Sequence, residues 1–141
     1  KETRFNMRQP FDVMPGAEGW QLSNPPILSM AAIKASLDMF NEIGMEALRE
    51  KSEKLTGYFE FLIREMNSDD IKIITPSNPK ERGCQLSIQV KNADKSLHVK
   101  LTEHHVITDW REPNVIRCAP VPMYNSFEDV YRMVTVLQKC L

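Results

Sequence analysis

Two hydrophobic periods divide the chain. From Pro26 to Ile43, the residues Ile27, Met30, Ala31, Ile33, Leu37, Phe40 and Ile43 recur at helical spacing, with Lys34, Asp38 and Glu42 opposite. This predicts a helix with a broad apolar face, buried in the fold and closed by Gly44 as its cap. A second helix is predicted from about Met45 to Met66. Met45, Leu48, Leu55, Phe59, Leu62 and Met66, with Ser52 filling one gap, form a narrow seam at steps of three and four. Glu46, Arg49, Glu50, Lys51, Glu53 and Lys54 occupy its solvated faces, and Glu50–Lys54 has the spacing of a weak surface pair.

The period then changes to two. "IKIIT" (71–75) reads as a strand, "PSNPKERG" as a loop, and "CQLSIQV" as a strand with Cys84, Leu86, Ile88 and Val90 on one face. Residues 93–105 read as a short amphipathic helix, "VIT" (106–108) as a short strand and "DWREPN" as a turn. "VIRCA" (115–119) reads as another strand, and "PVPMYN" as an extended segment. Ser126 is placed to cap a last helix, with Glu128 and Asp129 in its first turn, Lys139 in its last, and Val130, Met133, Val134 and Leu137 facing inward. The order helix–helix–strand–strand–helix–strand–strand–helix favours an α+β fold. Its sheet is small and mainly antiparallel, with helices packed on one face. Residues 1–25, with Pro15, Gly16 and Gly19, read as irregular.

Composition narrows the function. The 141 residues carry a net charge of −1, which gives no electrostatic footprint for nucleic acid or an anionic membrane. No apolar run approaches the roughly 18–20 residues of a membrane span. Cys84, Cys118 and Cys140 lack metal-site spacing and read as reduced, mostly buried thiols of a cytoplasmic protein. His98, His104 and His105 lie close in sequence, but neighbours at a helix end diverge, so they read as titratable surface and no metal site is expected. The five glycines form no phosphate-binding loop.

Two features carry candidate chemistry. Arg117 is the only charge in "NVIRCAPVPMY". On a strand it shares a face with Val115 and Ala119, opposite Ile116 and Cys118. A guanidinium in so apolar a segment needs an anion within reach. Asp109 and Glu112, across the turn, are internal candidates, while a bidentate clamp for a ligand carboxylate is the other reading. Spacing leaves both open. The second feature is Ser23-Asn24-Pro25-Pro26. Each proline disfavours helical geometry in the residue before it, so Pro26 is expected as the first helical residue and Asn24 lies outside the usual cap. Its side chain either bends back to the amides near Ile27 and Leu28 or is held outward toward a ligand.

"KETRF", "PGAEGWQLSNPPIL", "LTGYFEFLI", "ERGCQLSI" and "DWREPNVIRCAPVPMYNSFEDVY" together resemble the C-terminal portion of the kynureninase family, from Lys1 almost to Leu141. That family is similar to the type I pyridoxal-phosphate (PLP) enzymes. The resemblance implies a small C-terminal domain with its connecting helix (26–141), preceded by an irregular segment from the end of the large domain (1–25). It implies a cytoplasmic homodimer that hydrolyses L-kynurenine or 3-hydroxykynurenine to an anthranilate and L-alanine, in tryptophan degradation and NAD biosynthesis. PLP would be held by a lysine outside this chain, so the chain alone is expected to be inactive and to hold no catalytic residue.

Residue by residue, Arg117 matches the arginine that holds the substrate α-carboxylate. Asn24 matches an asparagine touching PLP and the substrate pocket, and Ser23 a serine shaping the pocket's aromatic end. Tyr124 and Asn125 match family positions read as structural. The alternatives are a related PLP lyase, such as a cysteine desulfurase-like protein, and a non-catalytic dimerisation or interaction domain.

Overall fold

A computed structural model describes residues 6–7, 9–10 and 12–141; "KETRF" lies outside the described residues. The chain forms two compact units that divide between Glu42 and Ile43.

In the first unit, a short 3-10 turn (Ala17–Trp20) precedes helix α1 (Ile27–Ile43). Gly19 packs so closely on the Met14 carbonyl that a Cβ there would sit 2.2 Å from its oxygen, which only glycine permits. Helix α1 starts one residue later than expected. Pro26 lies outside it and accepts the first helical hydrogen bond, from the Met30 amide, at 2.9 Å. The predicted apolar residues are present, but α1 buries none of them within this chain, against the expectation of a buried helix. An apolar face implies a cover without specifying where that cover is.

The second unit is the α+β fold expected. Gly44, at φ +83°, turns the chain from α1 into α2 (Met45–Glu65). Strands β1 (Ile71–Ile73), β2 (Leu86–Val90), β3 (Asp109–Arg111) and β4 (Val115–Cys118) form one wholly antiparallel sheet in the order β1-β2-β4-β3. Helices α3 (Lys95–Glu103) and α4 (Phe127–Cys140) complete it.

Register and the two-residue strand period sort the sheet into two faces. Ile71, Ile73, Leu86, Ile88, Val90, Trp110, Ile116 and Cys118 share one face, and the core unites them with Leu55, Phe59, Ile63, Leu97, Leu101, Val130, Val134 and Leu137 from the helices. Each fully buried aliphatic side chain of this set stabilises the fold by about 1.5–3 kcal/mol relative to exposure. Lys72, Ser87, Gln89, Asp109, Arg111, Val115 and Arg117 share the other face, none of them fully buried. The wet face anticipated from "CQLSIQV" is this one.

Three details differ from the sequence reading. The seam of α2 is wider than predicted: Thr56, Glu60 and Ile63 are buried, while Met45 is exposed. "VIT" is not a strand. His105, at φ 61°, closes α3 in a left-handed cap: its amide donates to the Thr102 carbonyl at 2.9 Å, and the Val106 amide to that of Leu101 at 2.9 Å. Val106 is buried as the anchor of that cap, and Ile107 points into solvent. The strand is instead "DWR", paired to β4, and the hairpin turns through Glu112-Pro113-Asn114. Helix α4 begins as expected. Ser126 Oγ accepts from the Asp129 amide, and Asp129 Oδ2 accepts from the Ser126 amide, forming a reciprocal capping box.

Candidate anion-holding site

The register of β3 and β4 sets Asp109 directly opposite Arg117 on the uncovered face of the sheet. Arg117 Nε donates to Asp109 Oδ2 at 2.6 Å, and Arg117 Nη2 donates to the same oxygen. Arg111, two residues along β3, brings its Nε to that oxygen at 3.2 Å. The Arg117 hydrogen bonds hold the Asp109 carboxyl below its ordinary range. Partial burial opposes them, while the charges of Arg111, Arg117 and His98 assist. The cluster therefore contains two guanidiniums and one ionised carboxylate.

Of the two internal partners open to Arg117 in the sequence, Asp109 is the one used. Glu112 instead accepts a hydrogen bond from Trp110 Nε1 at 2.9 Å. Arg117 remains 33% exposed, so pairing has not sealed it off. Among the described residues, its Nη1 makes no hydrogen bond or ion pair. The Nη1–Nη2 edge is the one that suits an end-on bidentate carboxylate.

The start of β3 is tied to α3. His98 Nδ1 and Thr108 Oγ1 lie 3.1 Å apart, one residue before Asp109. His98 is thus engaged with the strand that carries the anion partner, beyond the titratable-surface role read for it. Cys118, next to Arg117, points to the opposite face, where burial pushes its thiol up to about 12. So inert a thiol does not serve as a nucleophile. The three cysteines are free, with Cys118 and Cys140 buried.

Ser23 and Asn24 lie in the first unit, exposed, immediately before Pro25-Pro26 and α1. Gln21 Nε2 donates to the Ser23 carbonyl at 2.7 Å, which fixes the backbone there. Arg117 lies in the second unit, so the structure brings Ser23 and Asn24 together and describes Arg117 separately. Tyr124 is exposed, and Asn125 Oδ1 accepts from the Val121 amide at 2.8 Å, a structural role as read.

A second arginine–carboxylate cluster went unread in the sequence. Glu60 of α2 accepts from Arg82 Nη1 at 2.5 Å and from Arg64 Nη2 at 2.7 Å. Arg82 Nη1 also donates to the Pro76 carbonyl at 3.2 Å, and Arg64 Nη2 to Ser77 Oγ at 3.2 Å. These bonds, with one from Arg49 to the Pro79 carbonyl, pin the β1–β2 loop against α2. The only advance signal was a carboxylate one position past Phe59 in the seam; its partner is 22 residues away.

The fold and its uncovered face define a small α+β domain that presents a held guanidinium on an antiparallel sheet, a candidate site for an anionic group. The sequence model described as the kynureninase C-terminal domain matches residues 48–137. A kynureninase of Myxococcus xanthus is 51% identical over 138 residues, covering 98% of this chain and 32% of the relative. That of Koribacter versatilis is 52% identical over 134 residues (95% and 32%), and that of Flavobacterium psychrophilum 49% over 142 residues (99% and 33%). The chain belongs to the kynureninase family and contains its C-terminal domain. It spans about a third of the length of the curated relatives it matches. Among the described residues, no helix is long and apolar enough to cross a membrane.

Proposed function

We propose that this chain supplies the carboxylate-holding part of a PLP-dependent hydrolase that cleaves L-kynurenine, or 3-hydroxykynurenine, to the corresponding anthranilate and L-alanine. The activity belongs to tryptophan degradation and NAD biosynthesis, in a cytoplasmic homodimer. Residues 1–25 belong to the end of the large domain, and residues 26–141 to the connecting helix and the small domain.

The observation that carries this reading is Arg117, 33% exposed on the uncovered face with Nη1 unengaged among the described residues. Arg117 holds the substrate α-carboxylate and so orients the bond to be broken; holding a reactant in place is itself worth a large share of a barrier. Asn24 contacts the cofactor and the substrate pocket, and Ser23 shapes the pocket's aromatic end. The donor set fits such a role: an exposed hydroxyl and amide precede a proline-fixed helix start, where cofactor phosphates and polar substituents are commonly met. When bound, PLP supplies the electron sink for cleavage of the carbon–carbon bond. Its lysine lies outside this chain, so the chain alone is inactive. The cysteine desulfurase alternative is not favoured, because the matching family model and relatives are kynureninases.

The test is Arg117→Ala in an intact enzyme carrying this sequence. Substrate binding is expected to weaken by about tenfold or more, with PLP affinity nearly unchanged. Equal, mild losses of both would refute the assignment.

A further inference from the structure

We infer that Asp109 is the positioning residue of Arg117, holding the guanidinium plane so that its Nη1–Nη2 edge meets one substrate carboxylate. This rests on the proposed role of Arg117.

Three observations support it. Asp109 accepts from Nε and Nη2 through one oxygen, Oδ2, and so grips the inner edge of the guanidinium. A fork–fork pair across Nη1 and Nη2 would have consumed the edge a ligand needs. Second, Asp109 is delivered to that edge by sheet register, directly opposite Arg117, so its position depends on backbone pairing and not on a flexible loop. The preceding residue, Thr108, is itself tied to His98 of α3. Third, the charges leave room for one anion. Arg111 shares the Asp109 oxygen, so two guanidiniums face one carboxylate and the cluster carries a net single positive charge. A monocarboxylate neutralises it; a second fixed acid at this point would have cancelled the attraction.

Two forces oppose each other when Asp109 is removed. The local charge rises, which favours any anion, and Arg117 loses the contact that sets its plane. The inference is that orientation wins, because a bidentate contact depends on the direction of the fork and a point charge does not.

The experiment compares, in the intact enzyme, a substrate with its α-carboxylate and the same molecule as the α-carboxamide. For wild type, Arg117→Ala, Asp109→Ala and Asp109→Asn, kcat and KM are measured for each, and bound PLP is quantified as a check on folding. Asp109→Ala is expected to raise KM for the carboxylate about tenfold while leaving the carboxamide within about twofold. Asp109→Asn keeps a carbonyl oxygen for Nε and Nη2 and is expected to recover most of that loss. It also serves if the alanine variant fails to retain PLP. If Arg117→Ala leaves the carboxylate preference intact, the clamp reading itself is wrong. If Arg117→Ala abolishes the preference while both Asp109 variants keep it or bind the carboxylate more tightly, the clamp stands and the positioning role of Asp109 is overturned.

Discussion

The domain contains two clusters of the same composition, one carboxylate facing two guanidiniums, and they differ in how far they are closed to solvent. In the first, Glu60 and Arg82 are 11% and 4% exposed, and Arg82 Nη1 serves both Glu60 and the Pro76 carbonyl. In the second, Asp109 and Arg117 are 47% and 33% exposed, and Arg117 Nη1 is unengaged among the described residues. Pairing alone therefore does not distinguish a structural arginine from one that is available to a ligand. What distinguishes them is whether the outward edge of the guanidinium is spent, and which face of the fold it occupies. Arg82 belongs to the β1–β2 loop and is buried where that loop packs on α2. Arg117 lies on the sheet face opposite the helices of its own unit.

The largest expected effect tests the closed cluster. Glu60→Ala leaves the Arg82 charge buried without its carboxylate, where Nε already has no partner among the described residues. The cost is expected to be about 3–5 kcal/mol in urea unfolding. Replacing Arg82 by Met in the same molecule should restore most of it, because the stranded charge is removed along with its partner. Asp109→Ala is expected to move the unfolding midpoint by only a small fraction of the Glu60→Ala shift, since Arg117 and Arg111 reach water. Comparable losses from both substitutions would abolish the distinction between closed and open clusters.

Acid provides a second separation. Burial pushes the Glu60 carboxyl up, but the hydrogen bonds from Arg64, Arg82 and Ser77 together outweigh burial and hold it at about 2, against an ordinary 4.5. The folded value is the depressed one. The stabilisation is therefore complete above about 4.5 and is lost as pH falls toward 2. A shift of this size corresponds to roughly 3 kcal/mol. Unfolding curves between pH 6 and 2.5 should show wild type losing stability more steeply than an Glu60→Gln/Arg82→Met double variant. Parallel slopes would mean that the buried pair is not the acid-sensitive element.

The two clusters were also unequally legible in the sequence. Arg117 stood out because it is a lone charge in an apolar run of period two, and the alternation correctly assigned its face. Asp109 could be named as a partner, but its position on a strand could not be seen. "VIT" has the apolar, β-branched character of a strand, yet its valine anchors a helix cap, while "DWR" pairs through its backbone and carries its charges on the wet face. The Glu60–Arg82 pair was invisible for another reason. It joins a helix to a distant loop, and a glutamate beside a helical seam resembles solvated surface until the loop closes over it. Ser23 and Asn24 could be assigned a stiff, exposed start before α1, and local stereochemistry says no more about what they face.

The smallest effect tests whether the covered and uncovered sides of the sheet are independent. Ser126 starts α4, which lies on the covered side, and its hydroxyl accepts from the Asp129 amide at 3.1 Å. Ser126→Ala removes that bond and the contact from Oγ to Asp129 Oδ2, but leaves the Ser126 amide donating to the same carboxylate. Half of the capping box survives, so the expected loss is about 1 kcal/mol, the ordinary cost of an N-cap. Ser126→Thr should keep nearly all of it. In the intact enzyme, neither substitution should alter KM for the carboxylate substrate, because α4 secures the apolar face while Arg117 and Asp109 are set by strand register on the other. A KM that rose with Ser126→Ala and recovered with Ser126→Thr would show that the cap reaches through the sheet, and that the uncovered face is tuned by the packing beneath it.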